Sequence, residues 1–416
     1  MAITYIQKPQ EWTPINNDMI YYAQTNSAIS NVYLEVYNVS ISTTLIARIK
    51  LVVNAGGYAY CDVKQFLQSF VKNDQIHFDN VLWKALNNQS YYVSYQVRMV
   101  ETIGGTSYND TTRYAFNGQM PFTSFVEYDL DYNTSTTQLA KFLTNSPRVL
   151  KTDFARTNFL SYLDGSSPAT AMRLRTYESG ATAPTEVFEK AVTDLTALGG
   201  IIALNTTNIG YELTTWNNVS SLWSGLSTVT WTTIGGYVIN PNVTSYDICL
   251  INASGTIVSE TFRFDKEEYC TKYQRTNVYW QNSLGGFDSY TFNMVKKTKY
   301  DIERKSIQSN PYTFTNTGYS QHTNRVFNLA NQNYFSNYTE GVILNSDLLT
   351  DAEHIWMWEL VKAHSIYVEQ VINGVTYYVP ATIKATNYEV KQTKVDGIQG
   401  LTIELEYSYD NIKITK

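Results

Sequence analysis

WQNSLGGFDSYTF, residues 280–292, sets a Gly-Gly pair inside an aromatic-rich run, with an aspartate two places on. Two chemistries favour glycines in such a setting. A phosphate-cradling loop needs Gly-x4-Gly-Lys-Ser/Thr, and both the lysine and the hydroxyl are missing at Gly285-Gly286-Phe287-Asp288. A dinucleotide fingerprint needs GxGxxG, which is missing as well. The flanks read as strands, with Val278 and Trp280 before the pair and Tyr290 and Phe292 after it. Glycine adopts a positive φ at little cost, so a tight turn joining two strands is the economical reading. Gly285, Gly286 and Asp288 are therefore expected to be structural turn residues.

Strand text continues on both sides of this turn. VYLEVYNV (32–39) alternates Val32, Leu34 and Val36 against Tyr33, Glu35 and Tyr37, and LIARIKLVV (45–53) and YYVSYQVRMV (91–100) are similar. DVKQFLQSFVKN (62–73) interrupts them as a helix, with Asp62 as N-cap, Gln65 in the capping-box place and an apolar stripe at Val63, Phe66, Leu67, Phe70 and Val71. Further on, 170–177, 245–255 and 256–264 read as strands, the last two joined by a turn at Ala253-Ser254-Gly255. PTEVFEKAVTDLTALGG (184–200) has the spacing of a second helix ending at Gly199. SIQSNPYTFTNTGYSQHTN (306–324) is polar and turn-rich, an extended arm or loop suited to reaching a neighbour. TDAEHIWMWELVKAH (350–364) predicts a helix opened by a Thr350/Glu353 capping box, and VEQVINGVTYYV (368–379) predicts a hairpin turning at Asn373-Gly374. The fold class expected is mainly β (α+β): tandem β-sandwich-like domains over 1–119 and 120–296, then an arm, a helix and a β-hairpin region over 297–416.

Composition narrows the class of function. Of 416 residues only 16% are charged, and Asn, Thr, Ser and 34 tyrosines take the place of the missing charge. Thr and Tyr suit a half-buried pleated surface. Tyr also suits surfaces that meet, since it joins a large apolar ring to a hydrogen-bonding tip. A net charge of −6 gives no broad attraction to nucleic acid. The lysines around 296–305 alternate with Asp301 and Glu303, the pattern of a solvated strand face. No run approaches the roughly 18 apolar residues of a membrane span, and the opening MAITYIQKPQEW lacks the pattern of a signal peptide, so the expectation is synthesis in a cytoplasm with no membrane partner.

No catalytic signature stands out. Cys61, Cys249 and Cys270 form no CxxC and read as packed free thiols. His354 and His364 lie ten places apart, too far for a helical zinc pair, and surface or capping roles are expected for the histidines. The expectation is no catalytic residue, no metal and no cofactor. The aromatic residues are the candidates for an interface: Trp216, Trp223 and Trp231 in an Asn/Ser/Thr/Gly-rich segment, and Tyr312, Tyr319 and Tyr334 along an arm taken to reach from about Ser306 to Asn337. Trp356 is expected in a core.

QKPQEWTPINNDMIYY with ARIKLVVNAGGYAYCDVKQFLQSFV near the start resembles the opening of virion proteins of tailed phages infecting Bacteroidota, the crAss-like phages among them. EYCTKYQRTNVYWQNSLGGFDSYTFN and the later LTDAEHIWMWELVKAHSIYVE and LTIELEYSYDN are similar to further patches of those proteins. Ser283 departs from the pattern, where a basic residue is expected. The resemblance implies a podovirus-type tail or neck protein: a ring or hub tier of the virion, assembled in the host cytoplasm, through which the genome passes. Its implied partners are copies of itself in a ring and other tail, portal or neck proteins, with room for non-specific contact with DNA in the lumen. A glycan-binding receptor protein at the tail tip, using the Trp216–Trp231 segment as a sugar platform, is the alternative. A glycan-degrading enzyme ranks third, with no carboxylate pair to assign.

Overall fold

The computed structural model describes residues 3–25, 31–40, 42–71, 83–86, 92–101, 106–120, 131–152, 156–191, 200–204, 242–266, 272–308, 313–315, 318–320, 331–384, 399–408 and 412–415. The fold is mainly β, with strands gathered into several sheets and short helices between them. Contacts divide the chain into two compact units. One comprises Met1–Tyr269, Tyr279–Thr291 and Ile355–Ala363, and the other Cys270–Val278, Phe292–His354 and His364–Lys416. Among the described residues no helix is long and apolar enough to cross a membrane.

In the first unit, the strands Trp12–Pro14, Arg113–Phe116, Tyr92–Val100, Val32–Asn38 and Thr44–Leu51 lie side by side in that order. A second sheet pairs Thr4–Gln7, Ile20–Gln24 and Tyr58–Asp62. The two share one core, because period-two alternation turns Val32, Leu34 and Val36 and also Val93, Tyr95, Val97 and Met99 towards Met19, Tyr21 and Ala23. The helix expected over 62–73 is shorter than its apolar stripe suggests: an α-helix over Lys64–Leu67 passes into a 3-10 turn over Gln68–Phe70. Asp62 ends a strand, so Val63 takes the N-cap position and no capping box forms. The Asp62 carboxylate still accepts the Lys64 N–H at 3.0 Å and the Met19 N–H at 3.1 Å, serving the first turn from the sheet side.

A five-stranded sheet follows in the order Val149–Thr152, Phe262–Lys266, Val243–Ile251, Ala171–Glu178 and Glu186–Ala191. The last of these corrects the helix expected over 184–200. Glu186–Ala191 is an edge strand whose Glu189 stands opposite Arg173 and pairs with it at 2.8 Å, with Phe188 opposite Leu174. Val, Phe and Thr lose little in a strand, and cross-strand pairing decides between two patterns the local sequence allows equally. The turn at 253–255 is present, with Gly255 at φ 76° and the Thr256 carbonyl accepting the Asn252 N–H.

The second unit is built on long strands. Ile366–Ile372, Val375–Ile383, Gln399–Tyr407, Asn331–Leu349 and Lys297–Gln308 are neighbours in that order. Asn373 and Gly374, at φ 53° and 78°, make the hairpin turn between the first two, the paired positive values of a type I′ turn. The stretch expected as a loose arm is ordered at its base as a ladder, because Lys297–Gln308 stays paired with its partner strand as far as Gln308↔Asn331. A small hairpin, Thr313–Thr315 with Gly318–Ser320, lies beyond that. The predicted capping box closes the start of the Asp351–Lys362 helix: the Thr350 N–H donates to Glu353 Oε2 at 2.8 Å, and the Glu353 N–H donates to Thr350 Oγ1 at 3.3 Å. His354, expected at a surface or cap, is buried on this helix.

Candidate functional site

The Gly-Gly stretch lies at a turn between the strands Thr276–Gln281 and Phe287–Phe292. Asn282 organises it. Its N–H donates to the Gly286 carbonyl at 2.9 Å, and its Oδ1 accepts the Leu284 and Gly286 N–H groups at 3.1 and 3.0 Å. Gly285 sits at φ 87°, and a Cβ there would come within 2.0 Å of the Asn117 carbonyl oxygen. A Cβ on Gly286 would come within 2.3 Å of the Leu143 carbonyl oxygen. The space above both glycines is thus filled by backbone oxygens, which repel an anion. Leu284 is buried with Trp12, Phe116, Leu143 and Leu163, so the turn plugs an apolar cluster of the first unit.

Asp288, expected as a turn residue, is instead the second residue of the Phe287–Phe292 strand, from which it joins the turn to the helix. Its Oδ1 accepts from Thr144 Oγ1 at 2.7 Å and its Oδ2 from Trp356 Nε1 at 2.9 Å. Burial pushes its carboxyl up to about 6, against these hydrogen bonds, which favour the charged form, and the nearby Glu359 adds to the rise. Glu359 itself accepts the Ser283 N–H at 2.8 Å and Asn145 Nδ2 at 3.1 Å, with Lys362 Nζ at 2.8 Å as countercharge. Lys362 thus supplies, from the helix, a basic group beside a turn whose own position 283 is serine. Trp356 is 2% exposed and packs on Trp280 with ring centroids 5.3 Å apart.

The second candidate is a surface. Lys297–Gln308 is the last strand of its sheet, and almost every residue along it is exposed. Tyr300, Ile302 and Ile307 are each more than half exposed. On the neighbouring strand the register slips between Lys305↔Phe335 and Ser306↔Asn333, which leaves Tyr334 as the extra residue of a β-bulge, pointed out and 46% exposed. Behind the edge, Lys299 bonds Glu404 at 2.8 Å, while Lys384 bonds Glu406 at 2.7 Å and also reaches Asp301. These charges bridge over Gly341, which lies between Lys299 and Glu406 in the ladder and carries no side chain.

Of the aromatic residues singled out in the sequence, Tyr334 is placed on this surface. Tyr319 is in the short Gly318–Ser320 strand opposite Phe314. Trp216, Trp223, Trp231 and Tyr312 lie outside the described residues. Cys61 and Cys249 are free thiols, both pushed up by burial, and Cys270 is outside the described residues. Sequence reasoning missed Tyr300, Ile302 and Ile307, although three apolar residues, two and then five places apart in a charged strand, were there to be seen.

No family model matches the chain, and no curated protein matches it. Among solved structures, the crystal structure of dimeric latent PorU from Porphyromonas gingivalis is similar at 8% identity with a TM-score of 0.17. That match covers 83% of this chain, which spans 32% of the length of the other. A likeness at that score carries no argument.

Proposed function

We propose that this chain is a structural subunit of a bacteriophage virion, forming a ring or hub tier of the tail or neck through copies of itself. The observation that carries the reading is the Lys297–Gln308 edge strand, an exposed row of backbone donors and acceptors lined by Tyr300, Ile302 and Ile307. An open edge is a template for another strand, and β-addition is a standard way for chains to join. Lys297, Lys299, Asp301, Glu303, Arg304 and Lys305 along the same strand guard it against unselective pairing, so a partner must match its charges. A ring repeats one heterologous contact around an axis, which asks for one such adhesive edge per subunit. The low charge, the abundant tyrosine and the sequence resemblance support the same role.

The test is sedimentation velocity and negative-stain electron microscopy of the purified chain, with mass spectrometry of purified particles. Closed rings, or the chain in a stoichiometric virion tier, are the expected result. A chain that stays monomeric at high concentration and is missing from particles would refute the proposal.

A further inference from the structure

We propose that the second unit holds a binding site for a carboxylate attached to a short apolar body, in the cavity between Arg275, Lys296 and the Glu369–Ile372 strand segment. This inference does not depend on the assembly role. The cavity measures about 210 Å³ and is lined by Gln274, Arg275, Asn277, Lys296, Glu369 and Gln370, with Val371 and Ile372 as its apolar wall.

The lining has a sign. Two cations face one carboxylate, and Glu369 already accepts Asn277 Nδ2 at 3.0 Å. Lys296 is half-buried, and its ammonium makes no hydrogen bond or ion pair among the described residues. Burial accordingly lowers its pKa, with the field of Glu340 only partly offsetting the loss of water. A charge held partly out of water gains from a ligand that brings the opposite charge. The planar fork of Arg275 suits a carboxylate. Glu369 in the wall works against a doubly charged phosphate. Val371 and Ile372, 64% and 49% exposed, offer methyl groups to an alkyl chain leading away from the acid.

The test uses the full chain with sodium butyrate as probe and 1-butanol as its neutral counterpart. Saturation-transfer NMR is expected to show butyrate receiving at least fivefold more saturation than butanol. Lys296→Met keeps the length of the side chain and removes the charge, and should cut the butyrate signal at least fivefold with melting unchanged. Arg275→Gln should do the same. Equal signals from butyrate and butanol on the wild-type chain would overturn the proposal without reference to any variant, as would variants that keep the full butyrate signal. Sedimentation with and without butyrate then identifies the source of the acid. Self-association weakened by butyrate and by Lys296→Met assigns it to a side chain of a neighbouring copy, and binding with no effect on association assigns it to a free small acid. Both outcomes uphold the site, and a failure to assemble leaves its test intact.

Discussion

At the scale of single residues, two glycines with nearly the same backbone separate two causes of constraint. Gly374 sits at φ 78° in open space, whereas Gly285 sits at φ 87° against the Asn117 carbonyl. Alanine at 374 should cost about 1–2 kcal/mol for its left-handed conformation alone. Alanine at 285 adds a clash with backbone that cannot swing aside, for a total on the order of 3–5 kcal/mol. Denaturant melts of the two variants, followed by tryptophan fluorescence and circular dichroism, check the ranking, and equal losses would refute it. Two buried aspartates make a second pair. Asp110 is raised by burial, but hydrogen bonds from Arg113 and Lys8 outweigh that and hold it at about 2, below its ordinary 3.8. Its folded value is depressed, so about 1–2 kcal/mol of stability is present above pH 4 and lost as pH falls towards 2. Asp288, raised from 3.8 to about 6, has the opposite sign. Its contribution is fully present below about pH 4, and roughly 2–3 kcal/mol is lost as pH rises through 6. The first unit should therefore resist denaturant best near about pH 4, where Asp110 is already ionised and Asp288 still protonated in the folded chain. Asp288→Asn should flatten the decline between about pH 4 and 6.5 while leaving the acid limb in place.

At the scale of elements, the capping box at Thr350 and Glu353 is a local device that can be tested alone. Thr350→Ala removes the side-chain acceptor for the Glu353 N–H and should cost about 1 kcal/mol, read as a lower denaturation midpoint. Thr350→Ser should recover most of it. That box was legible in the sequence because capping acts over three residues, and the Asn373-Gly374 hairpin was legible because a type I′ turn is chosen by two. The 184–200 stretch was not, because Val187, Phe188 and Ala191 fit a helical stripe and a strand equally well. Arg173, the residue that decides, pairs with Glu189 from 16 positions earlier. The same limit governs the turn at 282–286. Its glycines announce a positive φ, but nothing local announces that Asn145 will meet Glu359 across 214 positions, or that Thr144 will reach Asp288 across 144. Long-range polar contacts are set by how sheets pack, and pattern reading does not extend to them.

At the scale of the whole molecule, the Lys297–Gln308 edge allows fold and assembly to be taken apart by mutation. Tyr300 and Ile302 are more than half exposed, so replacing them takes little away from the core. The double variant Tyr300→Ser, Ile302→Lys should change the stability of the isolated chain by no more than about 0.5 kcal/mol each. In an assembly whose contact uses this edge, the same two changes remove the apolar anchors and place a charge where the partner strand docks. Anchors of this kind carry a disproportionate share of binding, commonly about 2 kcal/mol or more apiece, so association should weaken at least tenfold. Trp358→Ser is the matched control, for Trp358 is also exposed but lies on the Asp351–Lys362 helix. Sedimentation across a concentration series decides the matter. Loss of association confined to the strand variant assigns the contact to this edge. Equal loss in both variants, or in neither, moves the adhesive surface elsewhere on the chain and removes the observation on which the structural role rests.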